Sequence, residues 1–357
     1  MRVMIAGGGT GGHVIPALAI AAALKSAYTA EICFIGTARG METRLIPQAG
    51  YPLELIDVGQ LNRVSLTTKV KTLVALPRGI LYCLGLLRRW QPQVMIGVGG
   101  YASGPAMLAA LLRRVPTLAF EPNAIPGMAN RLIGKRISAA AVNFAPTLSF
   151  FRNAELTGIP VRADFFALPP RAADSAPRLL VMGGSQGARA LNQRMPEIAK
   201  ALLDAVPDLT ILHQAGARHA ESTQAAYAAG GAPPNRWQVQ AFLDDMPRQF
   251  AASDLILARS GASTVAELAA SAKPSLLVPF PQAADDHQRK NAEVLVEGGA
   301  ARMLLEHEMT GAKLLEMLVG LLQNRDQLQA MSARARTFAH PHAAQRIAEM
   351  ASALSQP

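Results

Sequence analysis

The chain has 357 residues, half of them hydrophobic and 17% charged, with two cysteines and a formal net charge of +10. These totals exclude long disorder and a disulfide framework, and the length suits two domains of ordinary size. The charge is unevenly placed: between Val58 and Ala154 twelve basic residues accompany a single acid, Glu121, so this stretch carries the whole excess.

The chain opens with "MRVMIAGGGTGGHVIPALAIAAAL", read as a strand at residues 2–7, a glycine loop, and a helix over residues 16–26. It has neither the length nor the layout of a signal peptide. Strand, glycine loop and helix together point free backbone N–H groups at an anion. A P-loop needs Lys and then Ser or Thr after the glycines, whereas His13 and Val14 follow here. A dinucleotide site wants an acid near the end of the second strand, and "EICFIG" has Glu31 at its start. What fits is a loop for a diphosphate or a similar anion, with an imidazole beside it. Taken alone, His13 reads as a helix-start residue; beside five glycines it reads as chemistry. The positive end of a helix dipole favours a neutral imidazole, able to accept a proton.

Residues 73–87 are apolar but are broken by Pro77 and Arg78, and no run of about 18 apolar residues exists, so no membrane span is expected. Leu73, Leu76, Ile80, Leu81, Leu84 and Leu87 recur at roughly helical spacing, flanked by Lys69, Lys71, Arg78, Arg88 and Arg89. The pattern reads as an amphipathic basic helix for an anionic membrane surface; its alternative is a core helix with solvated arginines. Nucleic acid is not expected, because aromatic residues total 5% and do not interleave with the basic ones.

A second glycine loop, "GVGGYASGP", follows the strand "PQVMIG" and opens a helix, with Tyr101 and Ser103 at its rim. The strand "VPTLAFEPN" places Glu121 and Asn123 at its end, where α/β proteins hold ligands. The Pro/Ala-rich residues 165–177 read as a hinge. The strand–glycine–helix unit then recurs at "LLVMGGSQGARALNQ", where Ser185 and Gln186 add side-chain donors. Further strands are "LTILHQAG", "WQVQAFLDD", "DLILARSG" and "KPSLLVPFP". In "RSGASTVAELAA", Ser263 and Thr264 fit a helix start, with Glu267 one turn in. That carboxylate either receives a ribose diol or lies on a solvated helix face. Asp285, Asp286, His287 and Gln288 offer polar contacts for a sugar, and nothing is spaced to make the aspartates a metal site. Alternating elements imply an α/β fold of two doubly wound, Rossmann-like domains with parallel sheets. The expected boundaries are 1–163 and 164–340, with a helix in 341–357 returning to the first domain.

In order, "GGGTGGHVIPALA", "GVGGYASGP", "EPN…PG", "GIPVR", "GGSQGARALN", "FLDDM", "RSGASTVAEL" and "VPFPQAADDHQ…NA" resemble the bacterial glycosyltransferases of the MurG family along nearly the whole chain. The resemblance implies a glycosyltransferase-B architecture, two domains facing a cleft. It also implies an inverting transfer of N-acetylglucosamine from UDP-N-acetylglucosamine to undecaprenyl-pyrophosphoryl-N-acetylmuramoyl-pentapeptide, in peptidoglycan synthesis. His13 then matches the candidate base. Thr10, Gly11 and Gly12 meet the diphosphate and sugar region, and Asn123 the donor sugar. Arg162 and Ser185 lie near the donor diphosphate. Leu243 and Arg259 frame the uracil beside Ala262, Ser263, Thr264, Val265 and Ala266. Glu267 holds the ribose, and Gln288 with His287 the hexosamine hydroxyls. No cofactor is implied. The implied partners are the nucleotide sugar, the lipid acceptor, an anionic membrane surface and a cell-wall synthesis complex. The implied location is peripheral, on the cytoplasmic face of the plasma membrane. The chain has Phe120-Glu121-Pro122-Asn123 where the family more often has His-Glu-Gln-Asn, and Ile159 where it more often has Asn; Asn123 and Arg162 are kept. The rival reading is another sugar-nucleotide enzyme of the same fold, such as an epimerase of UDP-N-acetylglucosamine or a glycolipid synthase. A non-enzymatic basic scaffold would leave three glycine turns as unexplained backbone entropy.

Overall fold

The structure, a computed structural model, describes residues 1–38, 40–57, 66–169, 171–172, 175–184 and 186–356, with backbone alone for 66–75. The chain divides into two compact units, residues 1–160 with 342–357 and residues 161–341.

In the first unit, β1 (Arg2–Ala6), β2 (Glu31–Gly36), β3 (Leu53–Leu55), β4 (Val94–Gly97), β5 (Thr117–Glu121), β6 (Ala139–Val142) and β7 (Ala154–Leu156) form one parallel sheet. Its order is β3-β2-β1-β4-β5-β6-β7. The helices are α1 (Gly11–Tyr28), α2 (Glu42–Gln48), α3 (Leu66–Trp90), α4 (Ser103–Leu112) and α5 (Met128–Ile133), joined by a C-terminal helix, Ala343–Ser355. Strands covered on both faces read as continuous apolar runs, and Val3, Met4, Ile5 and Ala6 are all fully buried. Alternate residues serve alternate faces. Met4, Ala6, Cys33, Ile35 and Met95 pack with Cys83, Leu86 and Leu87 of α3 and Met107 of α4. Burial pushes the Cys33 thiol up to about 11 and that of Cys83 up to about 12, which suits core packing rather than reactivity. The C-terminal helix packs on α1, and Arg346 forks onto both carboxylate oxygens of Glu155 in β7.

The structure starts α1 at Gly11, five residues before the expected Pro16. The Thr10 carbonyl already accepts the N–H groups of His13 and Val14, so Gly11, Gly12 and His13 make the first turn. Pro16 is tolerated because its ring fixes a helical φ and its missing N–H forfeits one bond, to the Gly12 carbonyl.

In the second unit, β8 (Arg178–Met182), β9 (Thr210–Gln214), β10 (Trp237–Gln240), β11 (Leu255–Ala258), β12 (Ser275–Leu277) and β13 (Ala301–Met303) form a parallel sheet ordered β10-β9-β8-β11-β12-β13. Around it lie α6 (Arg189–Ala205), α7 (Ala220–Ala229), α8 (Met246–Ala251), α9 (Ala262–Ala270), α10 (His287–Glu297), α11 (Gly311–Leu322) and α12 (Arg325–Arg336). Leu179, Val181, Leu255, Leu257 and Leu276 pack with Leu191, Met195 and Leu202 of α6 and with Leu314 and Leu318 of α11.

The described part of residues 165–177, expected as a hinge, is fixed to this second unit. Phe165 is fully buried edge-on to Phe250 at 5.2 Å. The Arg171 guanidinium binds the carbonyls of Ala252 and Ala176 and lies 2.9 Å from the Asp254 carboxylate. In both sheets the strand order reverses beside the first strand, between β1 and β4 and between β8 and β11. Ligands of such sheets sit past the strands' C-terminal ends at that reversal.

Candidate active site

In the first unit the loops after β1 and β4 interlock at the reversal point. A methyl on Gly100 would lie 2.4 Å from the Gly8 carbonyl oxygen, at a φ of +81°, so glycine is the residue that permits this approach. His13 lies between the loops. Its Nδ1 is 3.2 Å from the Gly8 carbonyl, and its Nε2 faces Gly99, 3.0 Å from where a Cβ there would stand. A carbonyl can only accept, so Nδ1 carries a proton, and in the neutral imidazole the lone pair falls on Nε2. The Gly8 carbonyl thus selects the tautomer of the neutral ring. Thr10 and Gly12 are exposed, and His13 is half-buried.

Sequence reasoning missed the residue that holds this loop. Glu42, the first residue of α2, is fully buried. Its carboxylate accepts from the Gly9 N–H at 2.7 Å, the Thr37 N–H at 3.0 Å and the Thr37 hydroxyl at 2.8 Å. Burial would raise this carboxyl, but the donated hydrogen bonds outweigh it and hold it below its ordinary value. Added methyls on Gly8, Gly36 or Gly40 would lie 2.3, 2.7 and 1.9 Å from its side chain. The signal was the small-residue cluster "GTARGME". Glu42→Gln keeps the size but turns an N–H toward N–H groups. It is expected to cost about 1–3 kcal/mol of stability at pH 7. Because the folded-state carboxyl is held low, the difference from wild type shrinks as pH falls through the carboxylate range. Denaturant unfolding at pH 7 and pH 4 checks this.

Glu121 organises the next turn. Buried in β5, it accepts from the Asn123 backbone at 3.0 Å, the Asn123 amide at 3.2 Å, the Gly127 N–H at 3.0 Å and Asn130 at 2.9 Å. Burial raises this carboxyl despite those donors. Asn123 is therefore a braced side chain, half-buried at the turn. Phe120 is fully buried, so the position where the family more often has His lies in the core here.

In the second unit, Ser185 lies outside the described residues. Gly184 and Gly187 have φ of +79° and +75°. A methyl on Gly187 would lie 1.9 Å from the Ala215 carbonyl oxygen, so this loop is seated on the turn after β9. Across the reversal point Arg259 directly follows β11. Its guanidinium donates to the carbonyls of Val278 at 3.0 Å and Pro279 at 3.1 Å, pairs with Glu306, and lies 5.4 Å from the Phe280 ring centre. It acts as a brace joining the β11 and β12 loops. Ser260 donates to the Gln288 carbonyl at 2.8 Å, and the Phe280 N–H donates to Gln288 Oε1 at 3.0 Å, so the Gln288 side chain is held through its oxygen. His287 Nδ1 is 2.7 Å from the Ala284 carbonyl, and Asp285 and Asp286 both take left-handed backbone. These loops therefore bring Arg259, α9's first turn (Ala262, Ser263, Thr264) and Gln288 together.

Glu267 is half-buried on α9, and burial raises its carboxyl to about 7, with the Arg162 charge opposing the rise. Arg162 and Glu267 thus share a neighbourhood. Arg162 lies exposed, 5.3 Å from the Phe165 ring centre. Ala266 is half-buried; Val265 is buried, so it can offer only backbone. Leu243 is buried beyond β10, with β9 and β8 between that strand and β11. A cavity of about 980 Å³ opens at the other end of this sheet, lined in part by Arg171, Asp254 and Lys273. Arg171 and Lys273 there are spent on carbonyls, Lys273 on those of Ala251 and Ser253, and we place no substrate there. Among the described residues no cluster of three His, Cys, Asp or Glu could hold a metal ion.

On α3, Lys69 and Lys71 lie outside the described side chains. Ile80 and Leu84 are half-buried against the core, and Leu76 is also half-buried. Arg78, Arg88 and Arg89 are exposed, as is Leu81, at 67%. Arg89 pairs with Glu54 at 2.7 Å. Leu112 at the end of α4 and Leu132 on α5 are exposed at 68% and 73%. No described helix is long and apolar enough to cross a membrane.

The profile of the glycosyltransferase family 28 N-terminal domain matches residues 3–142, and that of its C-terminal domain matches residues 178–347. A protein of Solibacter usitatus is 44% identical over 99% of this chain and 96% of its own length. It is named UDP-N-acetylglucosamine–N-acetylmuramyl-(pentapeptide) pyrophosphoryl-undecaprenol N-acetylglucosamine transferase. A protein of Nitrosococcus oceani with the same name is 43% identical over 98% of this chain and 97% of its own. A solved structure of MurG from Acinetobacter baumannii superposes with a TM-score of 0.83 at 34% identity, covering 99% of both chains. The UDP-GlcNAc 2-epimerase of Neisseria meningitidis, bound to UDP-GlcNAc, superposes at 0.67 with 12% identity over 98% of this chain and 99% of its own, which speaks to fold alone.

Proposed function

This chain belongs to glycosyltransferase family 28 and to its MurG members, and from that premise we propose how its two units divide the work. The chain is a UDP-N-acetylglucosamine-dependent glycosyltransferase. It moves N-acetylglucosamine onto the muramoyl sugar of undecaprenyl-pyrophosphoryl-N-acetylmuramoyl-pentapeptide. The observation that carries this is 44% identity, along nearly the full length of both chains, to a protein of that named activity. Release of UDP that depends on the lipid acceptor tests it.

The first unit serves the acceptor. His13 Nε2 takes the proton of the acceptor hydroxyl as its oxygen attacks the anomeric carbon. The bond from that carbon to the diphosphate oxygen breaks, its electron pair leaves with UDP, and configuration inverts. The Gly8 carbonyl keeps its hydrogen bond from Nδ1–H and so favours the imidazolium that forms. The second unit holds the donor. Negative charge building on the diphosphate meets the N–H groups of loop 183–188 and of the start of α6, with Arg162 as the nearby cation. Glu267 receives the ribose hydroxyls, and the Gln288 amide donates to the hexosamine. Arg259 works by holding the backbone that borders the base.

The acceptor's lipid tail requires a surface. Leu81, Leu112 and Leu132 stand exposed on helices of the first unit that pack in series, α3 on α4 and α4 on α5. They lie within the stretch that carries the excess positive charge. We assign this region to peripheral contact with the anionic cytoplasmic face of the plasma membrane. Each basic residue at such a surface contributes about 1 kcal/mol. Arg78→Glu with Arg88→Glu is therefore expected to weaken binding to anionic vesicles at low salt by more than about tenfold. Sedimentation that is unchanged by the substitutions, or indifferent to vesicle charge, removes the idea.

A further inference from the structure

Behind the donor loop of the second unit runs a buried chain of polar side chains. Asn192, in the first turn of α6, donates its amide N–H to the Ala215 carbonyl at 2.9 Å. That fixes its Oδ1 toward His213 Nε2, 3.1 Å away. An amide oxygen accepts, so Nε2 is the protonated nitrogen. Nδ1 is then an acceptor, and the Tyr227 hydroxyl, 3.1 Å away, donates to it. The three hydrogen bonds run in one direction, from Tyr227 through His213 and Asn192 to the Ala215 carbonyl. His213 and Tyr227 are fully buried and Asn192 nearly so. Trp237 stacks on Tyr227 at 5.0 Å and is itself anchored by its N–H to the Ala232 carbonyl at 3.2 Å.

The chain ends where the glycine loop is seated. The peptides at 186–187 and 215–216 interlock: a methyl on Gly187 would meet the Ala215 oxygen at 1.9 Å, and one on Gly216 the Gln186 oxygen at 2.5 Å. Both glycines have left-handed backbone, with φ of +75° and +83°. The Ala215 carbonyl is thus held from behind by Asn192 and pressed against the loop in front. A buried histidine in a core is usually just satisfied packing; here each of its nitrogens has a defined partner and one partner reaches the loop.

We propose that Tyr227, His213 and Asn192 form a relay that sets the position of the Gln186–Gly187 end of the glycine loop and thereby the affinity for the donor diphosphate, with His213 and Asn192 as positioning residues. The proposal rests on the reading of that loop as the donor site. A relay that ends on a neutral carbonyl needs His213 in one neutral tautomer. Burial provides this, pushing the imidazole down to about 3.

Paired substitutions separate positioning from packing. His213→Gln sets an amide N–H near the place of Nε2 and keeps the bond to Asn192. His213→Asn reaches only the Nδ1 side and loses it. Asn192→Asp is isosteric but turns an oxygen toward the Ala215 carbonyl. We expect His213→Asn and Asn192→Asp to raise the donor KM about tenfold. The kcat and the acceptor KM should stay within about twofold, and His213→Gln should stay within about threefold of wild type in all constants. Equal donor KM for the two His213 variants, or an unchanged value for Asn192→Asp, overturns the relay. If these variants fail to fold, Tyr227→Phe removes one oxygen from the far end. It should raise the donor KM about threefold and shift the Nδ1 resonance of His213 in nitrogen NMR, while the tautomer set by Asn192 is kept; an unchanged donor KM overturns the proposal. Gly187→Ala separates the two readings. If it leaves the donor KM unchanged, the loop is not the donor site. If it raises the KM while the relay variants do not, the relay alone fails.

Discussion

His13→Ala lowers turnover by about 10²–10⁴-fold, the usual worth of a positioned general base, while the donor KM stays within about threefold. The expectation follows from geometry: Nδ1 donates to the Gly8 carbonyl, so in the neutral ring Nε2 is the basic nitrogen. A loop-bracing role would give a different pattern. His13→Asn retains an N–H in reach of Gly8 but has no base at the Nε2 position, so it should be as inactive as alanine. His13→Asn with turnover within about threefold of wild type would reduce His13 to a brace.

Glu267→Gln raises the donor KM by roughly 10–100-fold, because a carboxylate that accepts two ribose hydroxyls is replaced by a group with one accepting atom. The same side chain gives a pH signature. Burial lifts its carboxyl to about 7 in the free protein, whereas the ribose diol favours the ionised form. The wild-type donor KM should therefore fall as pH rises from 6 to 8, and in the variant this dependence should flatten. Stability runs the other way. A carboxyl raised on folding binds its proton more tightly in the folded state, so its contribution is lost as pH rises through 7. Glu267→Gln should thus melt higher than wild type at pH 8 and alike at pH 5. A variant less stable at pH 8, with unchanged donor KM, would place Glu267 among ordinary helix-face residues.

The ordered glycine loops and the long apolar strands were legible in the residues. "RVMIA", "EICFIG" and "RLLVM" are fully or nearly fully buried strands in both sheets, and their runs of Val, Ile, Leu and Met allow no other reading. The outer strands were not. β6 is "AAAV", a helix-favouring composition, and β3, β7 and β13 span three residues each, too short for periodicity to register. Their neighbours in the sheet make them strands. At the candidate site, Thr10, His13 and Gln288 stand beside turns that the sequence displays. Glu42 was not legible, because a lone acid at a helix start reads as a dipole partner, and its three donors come from loops brought in by β1 and β2. The brace of Arg259 to Glu306 spans 47 residues, and the His213 relay joins α6, β9 and α7; no local pattern announces either.

The account is tested most directly by incubating the purified chain with UDP-N-acetylglucosamine, with and without undecaprenyl-pyrophosphoryl-N-acetylmuramoyl-pentapeptide, and resolving both the lipid and the nucleotide products. It predicts one UDP released for each disaccharide-bearing lipid formed, in the presence of acceptor alone. Conversion of the nucleotide sugar to its 2-epimer without acceptor, or sugar transfer to a lipid lacking the muramoyl group, would contradict it.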